Sequence, residues 1–192
     1  HTGSGVVVAG MDTGVDALHP DIGPRWRGGA NSWYDHNGEH PTPSDLNGHG
    51  TRTMGIMVGG DAGGSAIGVA PGAQWIAVKV FNDAGKASES AIHLGFQWLL
   101  DPDGNPGTDD LPDVVNISWG LVDEVNVCDT LYQADIQALK AAEVAVVVAA
   151  GLRPNEVLRE TLRLGCAEVY VVGDCGQLGR IREAVVQGDL AG

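Results

Sequence analysis

Asp12 closes the apolar run VVVAGMD, and His49 opens the small-residue segment HGTRTMGIMVGG. An open parallel sheet presents its reactive groups just beyond the carboxyl ends of its strands. A carboxylate set against an imidazole holds that ring in one tautomer and lets it act as a base, which makes the pair two members of a nucleophilic triad. Spacing alone does not join them, since a single aspartate and a single histidine in loops are ordinary surface residues. Joining them falls to the elements that carry them.

Five short apolar runs rich in β-branched residues read as strands: Val6–Met11, Asn31–Tyr34, Trp75–Phe81, Val114–Ser118 and Val144–Ala149. Helical spacing lies between them at Thr51–Val58, Ser88–Leu100 and Thr130–Ala142. In the last of these, Leu131, Ala134, Ala138 and Leu139 form the expected apolar stripe and Asp129 the expected N-cap. Strands alternating with helices imply an α/β fold, a mostly parallel sheet covered on both faces as a three-layer α/β/α arrangement. The alternation continues to the end, with a helix from Asn155 to Leu164, a strand Glu168–Val172 and a helix striped by Leu178, Ile181, Ala184 and Val185.

The 192 residues carry a formal charge of −14, which argues against nucleic acid and anionic membrane as partners. No apolar run approaches the length of a bilayer span. The charge is unevenly spread. Residues 1–151 hold 6 Lys/Arg and 19 Asp/Glu, a net of −13, whereas residues 152–192 hold 5 Arg and 6 acids, a net of −1. All five Trp lie in the first part and five of the eight Arg in the second, so two compositional habits meet near Gly151. Cys128, Cys166 and Cys175 have no metal-ligand spacing and read as thiols of no special chemistry. His19, His36, His40 and His93 likewise read as surface or packing residues, and no metal site is assigned. The loop DPDGNPGTDDLPD has Pro106 where an EF-hand needs Gly; it reads as a solvated acidic loop, with calcium binding of another kind left open.

Four strings, VVVAGMDTGVDALHPDI, NGHGTRTMGIMVG, GVAPGAQWIAVKVF and PDVVNISWG, stand in the order and spacing of subtilisin-like serine proteases. The resemblance covers residues 1 to about 151 and is nearest to the bacillopeptidase F-like branch. It implies that Asp12 and His49 are the catalytic acid and base. It also implies that Ser118, Trp119 and Gly120 form the edge against which an extended peptide substrate lies, a mode in which main-chain hydrogen bonds supply the affinity. Arg52 replaces the second histidine of the usual G-H-G-T-H string, at a position outside the triad. The protease part points to a secreted ancestor and leaves the location open.

The pattern breaks after VVVAAG. The family places an oxyanion-holding Asn where Leu152 stands, and its Gly-Thr-Ser-x-Ala nucleophile segment is missing from residues 152–192. Those residues instead resemble the C-terminal nucleotide-binding segment of NADH:flavin oxidoreductases of the 2,4-dienoyl-CoA reductase and trimethylamine dehydrogenase type, in AAGLRPN, EVYVVGDC and GRIREAVVQGDLAG. In that family the residue matching Asp174 lies at the dinucleotide. The phosphate-cradling G-x-G-x-x-G turn is absent, so no cofactor is expected and Asp174 reads as a turn residue. Together the resemblances imply a chimera: a truncated subtilisin-like core over 1–151 and an oxidoreductase-derived helix–strand–helix over 152–192, packed on the same sheet. The expected outcome is a catalytically inactive fragment. The alternatives are a serine-type peptidase whose nucleophile is unrecognised or supplied in trans, and a residual peptide- or nucleotide-binding module. A sheet edge or apolar surface left uncovered by the exchange invites self-association.

Overall fold

The computed structural model describes residues 2–120 and 130–149. Five parallel strands form one sheet: β1 (Val7–Asp12), β2 (Trp33–Asp35), β3 (Gln74–Lys79), β4 (Val114–Ile117) and β5 (Ala145–Val148), in the order β2-β3-β1-β4-β5. The chain therefore builds outward from β1 in one direction, returns, and builds outward in the other. That reversal opens a crevice beside the carboxyl end of β1, where ligands of open α/β sheets bind. Each strand stands within two residues of its expected limits. The end of β1 moves by one residue to include Asp12 itself, because Asp12 pairs in register with Lys79.

Alternate residues of the strands feed two separate cores. On one face Val8, Trp75 and Ala77 pack with Met54 and Val58 of α1 (His49–Val58) and with Val15 and Ile22. On the other, Ala9, Met11, Ile76, Val78 and Val115 pack with Ile92, Phe96 and Leu99 of α2 (Glu89–Leu99) and Leu139 of α3 (Gln133–Ala141). Helices thus cover both faces, and the three-layer α/β/α architecture is the one the alternation of elements implied.

Helix α2 is capped as its sequence demands: Ser88 accepts a hydrogen bond from the Ala91 amide at 3.1 Å, with Glu89 in the first turn. Helix α3 departs from expectation. It starts at Gln133 with Tyr132 at the N-cap, and its inward face is Tyr132, Ile136 and Leu139, while Leu131, Ala134 and Ala138 are exposed. The physical reason is a polar contact that periodicity does not register. Asp135 turns inward to His93 of α2, 2.9 Å away, and rotates the helix to do so. Asp129, Leu152, Asp174, the three cysteines and every element expected after Ala149 lie outside the described residues.

Candidate active site

The last residue of β1 and the first of α1 meet. His49 Nδ1 lies 2.8 Å from Asp12 Oδ1 and 3.0 Å from Oδ2. A nitrogen facing a carboxylate donates, so Nδ1 carries the proton and Nε2 keeps its lone pair. The Asp12 side chain is 3% exposed and that of His49 41% exposed. An oriented imidazole therefore presents its free nitrogen towards solvent above a buried carboxylate.

Burial is the main influence on Asp12 and pushes its carboxyl above the ordinary aspartate value. The His49 hydrogen bond, the Thr13 amide at 2.7 Å and the imidazole's charge oppose this, and Asp45 nearby adds to it. Desolvation wins because Asp12 is held between β3, where it pairs with Lys79, and the first turn of α1, where Gly50 packs against its Cβ.

Four backbone N–H groups open α1 without intrahelical partners, and each is met. Gly48 and Thr51 donate to the two oxygens of Asp45 at 2.8 and 2.9 Å, His49 to Asn47 Oδ1 at 3.3 Å, and Gly50 to Thr13 Oγ1 at 3.0 Å. Thr13 Oγ1 in turn donates to Asp45 Oδ1 at 3.0 Å, and Thr51 Oγ1 to Asp45 Oδ2 at 2.7 Å. Burial of Asp45 raises its carboxyl, but these donors together outweigh burial and hold it below the ordinary value. With the cap supplied by Asp45, three residues upstream of Gly48, the helix begins at His49. The histidine is thereby part of a rigid first turn.

Close approach completes the placement. A Cβ on Gly50 would lie 2.1 Å from the Gly14 carbonyl oxygen and 3.1 Å from Asp12 Cβ, so only glycine lets α1 settle against the end of β1. Gly14 has φ +111° and itself contacts the Ser44 backbone, again leaving no room for a side chain.

Beside this pair, Lys79 is 1% exposed, yet its ammonium is fully engaged. It donates to the carbonyls of Thr13 (3.2 Å) and Phe81 (2.8 Å) and pairs with Asp83 at 3.0 Å and Glu39 at 3.5 Å. Neither Asp45, Thr13 nor Lys79 was singled out from sequence. The D-x-N-G turn before His49 was the available signal for Asp45; for Lys79 there was none, because its partners come from three separate segments, at Thr13, Glu39 and Phe81–Asp83.

Ser118, Trp119 and Gly120 follow β4, which stops at Ile117 rather than continuing through Ser118. They stand at the same carboxyl edge of the sheet as Asp12. The Trp119 indole donates to the Met11 carbonyl at 2.6 Å and meets Phe81 edge-on, so this side chain braces β1 and is not free to hold a ligand. Ser118 Oγ accepts from Asn116 Nδ2 at 2.8 Å. Among the other histidines, His40 pairs with Asp83 and His93 with Asp135, while His19 Nδ1 accepts from the Asp21 amide. Arg52 is exposed on α1.

Comparison with known proteins agrees with this geometry. The family model described as "Subtilase family" matches residues 3–167. The chain is 38% identical to bacillopeptidase F of Bacillus subtilis over 165 residues, which is 79% of this chain and 11% of that protein. It is 39% identical to subtilisin Savinase of Lederbergia lenta over 150 residues, 78% of this chain and 49% of that one. A crystal structure of a cold-adapted subtilisin-like serine proteinase superimposes with a TM-score of 0.52 at 29% identity, covering 80% of this chain and 48% of the other. The chain thus spans about half or less of the length of these relatives. With the strand order, the Asp12–His49 pairing and the family match in agreement, the chain belongs to the subtilase family of serine proteases.

Proposed function

We propose that this chain carries the acid–base half of a peptidase site, with His49 as general base and Asp12 as the group that orients it and stabilises its protonated form. The observation that carries this reading is the 2.8 Å contact from a buried carboxylate to the Nδ1 of a half-exposed imidazole at the sheet's switch point. An extended peptide is the substrate class, lying along the main chain of Ser118–Gly120. In the further step of this proposal, the 192 residues do not hydrolyse peptides by themselves. Residues 119–192 contain no serine, and Leu152, with no side-chain donor, stands where the family's oxyanion asparagine is expected. Loss of one oxyanion donor alone costs about 10²–10³ in rate.

The same proposal reads residues 152–192 as a segment of oxidoreductase origin joined within the shared strand VVVAAG. What supports it is the change of charge and of Trp and Arg content at Gly151, together with the strings AAGLRPN, EVYVVGDC and GRIREAVVQGDLAG. The subtilase match itself runs on to residue 167, past the proposed join. Peptide-level hydrogen exchange checks the join. Protection over 152–192 comparable to that over β5 fits a segment packed on the same sheet, and complete exchange within seconds sinks that packing.

Activity is tested with a broad fluorogenic peptide and a fluorophosphonate probe, each against a His49→Ala control. The expected result is equal background hydrolysis and no covalent labelling in either protein. Turnover or labelling that disappears with His49 overturns the inactive reading and reveals a nucleophile within the chain. Restored, His49-dependent turnover on adding a serine-bearing partner segment would instead favour completion in trans.

A further inference from the structure

Arg52 stands where the subtilisin-like pattern has a second histidine, three residues after His49 in the first turn of α1. Residues three apart on a helix share a face, so the guanidinium and the imidazole lie on the same side of α1. Helical side chains lean towards the N-terminus. This one does: Arg52 Nη1 lies 3.2 Å from the place a Cβ on Gly48 would occupy. Gly48 has φ +84° and no side chain, and the guanidinium covers the space it leaves, against the residue that precedes His49. Arg52 is exposed, as is much of the His49 ring.

This is an unfavourable place for a lone cation, because the N-terminal end of a helix carries positive partial charge and favours acids. The first turn of α1 contains no acidic residue. Among the described residues no carboxylate pairs with Arg52, and its guanidinium donates no hydrogen bond, although the chain holds 25 Asp and Glu against 11 Lys and Arg. The acids around this turn face other groups. Asp45 accepts from the amides of Asn47, Gly48 and Thr51 and from the hydroxyls of Thr13 and Thr51. Asp16, whose amide bonds to Thr51 Oγ1, turns its Oδ1 to the Leu18 amide, and Asp12 faces His49. Other cations of the described chain are engaged: Arg25 with the Pro71 carbonyl, Arg27 with main-chain oxygens and Ser32, Lys79 with four oxygens. An unpaired arginine at the positive end of a helix, beside an imidazole base, breaks a local rule at a site, and such departures are the ones that serve function.

We propose that Arg52 determines which peptides the site takes: it binds a carboxylate close to the peptide bond that His49 faces, so acidic peptides are favoured over neutral ones. This rests on the reading of Asp12 and His49 as part of a peptide site. A peptide bond brought to His49 Nε2 comes to the face of α1 that also carries Arg52. A guanidinium takes a carboxylate through two parallel N–H···O bonds, which give direction as well as attraction. The carboxylate has two sources, an Asp or Glu side chain within the peptide or the C-terminus of a peptide that ends there. At a net charge of −14 the chain as a whole repels acidic peptides, so a preference for them has to arise from a local contact.

The test is calorimetric titration of the full chain, at low and at high salt, with peptides built on one neutral, apolar, extended sequence. The first is acetylated and amidated, a second set adds one glutamate moved along the sequence, and the last is the neutral peptide with a free C-terminal carboxylate. Each is also titrated into Arg52→Gln and Lys140→Gln. Lys140 lies on α3, on the other face of the sheet, and its loss changes the net charge equally. A carboxylate-bearing peptide should bind about fivefold to tenfold tighter than the neutral one. That preference should vanish in Arg52→Gln, persist in Lys140→Gln and fall with salt, while the neutral peptide binds all three proteins alike. A gain with glutamate alone assigns a side-chain carboxylate, and a gain with the free terminus alone assigns a peptide end. Equal binding of neutral and carboxylate-bearing peptides, or a preference that survives Arg52→Gln, overturns the proposal and leaves the peptide site standing. Failure of every peptide to bind sinks the peptide reading of the site, and the role of Arg52 with it.

Discussion

His49 is fixed by one hydrogen bond from its ring and by the rigid first turn beneath it, while Asp12 accepts the desolvation that makes the pair possible. Since burial raises the Asp12 pKa in the folded chain, the fold binds that proton more tightly than the unfolded chain does. The ionised carboxylate therefore weakens the fold, and the penalty grows from the ordinary value of 3.8 up to the raised folded value and stays constant above it. Asp12→Asn is expected to raise the unfolding midpoint at pH 7, with the gain vanishing as pH falls below 3.8. Thermal unfolding across pH 3–8 checks it, and a loss of stability at pH 7 would refute it. Asp12 and His49 were legible from sequence because each stands in a string that resembles the subtilisin-like pattern; spacing alone did not join them. Asp45 and Lys79 were not, since their importance lies in partners drawn together only on folding.

At the scale of elements, the start of α1 decides whether the site exists. Asp45 takes the place of a side-chain cap, so Asp45→Ala should cost about 1–2 kcal/mol at neutral pH, as lost helix caps do. Its carboxyl is held below the ordinary value, so its contribution is present above 3.8 and is lost as pH falls through the lower folded value. Denaturant unfolding of wild type and variant at pH 7 and pH 3 measures the difference, which should narrow in acid. Gly50→Ala forces a methyl group into the Gly14 carbonyl and should cost about 3 kcal/mol while separating His49 from Asp12. A variant of unchanged stability would show that the helix can shift without loss. Helix α3 carries the opposite lesson. Its apolar repeat indicated one face, and the Asp135–His93 pair selected another, because a half-buried carboxylate must find a donor before alanines find a core.

For the molecule as a whole, the sheet joins two cores, and the site lies where the strand order reverses between them. Phe96 fills the α2 side of that sheet, far along the chain from the site. Phe96→Ala should lower stability by about 3–5 kcal/mol. If the sheet and its helices unfold as one unit, tryptophan fluorescence and the His49 resonance should be lost together. Two separated transitions would show that the cores are independent.

The strands, their parallel pairing and the positions of Asp12 and His49 follow from the sequence by itself, because alternating short apolar runs and helical stretches admit few other arrangements. The same is true of the absence of serine after Ser118, which is a matter of composition. Tertiary structure alone decided that Asp45 caps α1, that Trp119 braces Met11, that α3 turns towards His93, and that Asp101 and Asp110 bury oxygens with no donor. Each of these depends on hydrogen-bond partners distant in the chain. Periodicity records which face of an element is apolar, but it is silent about which polar groups must be satisfied when those faces close.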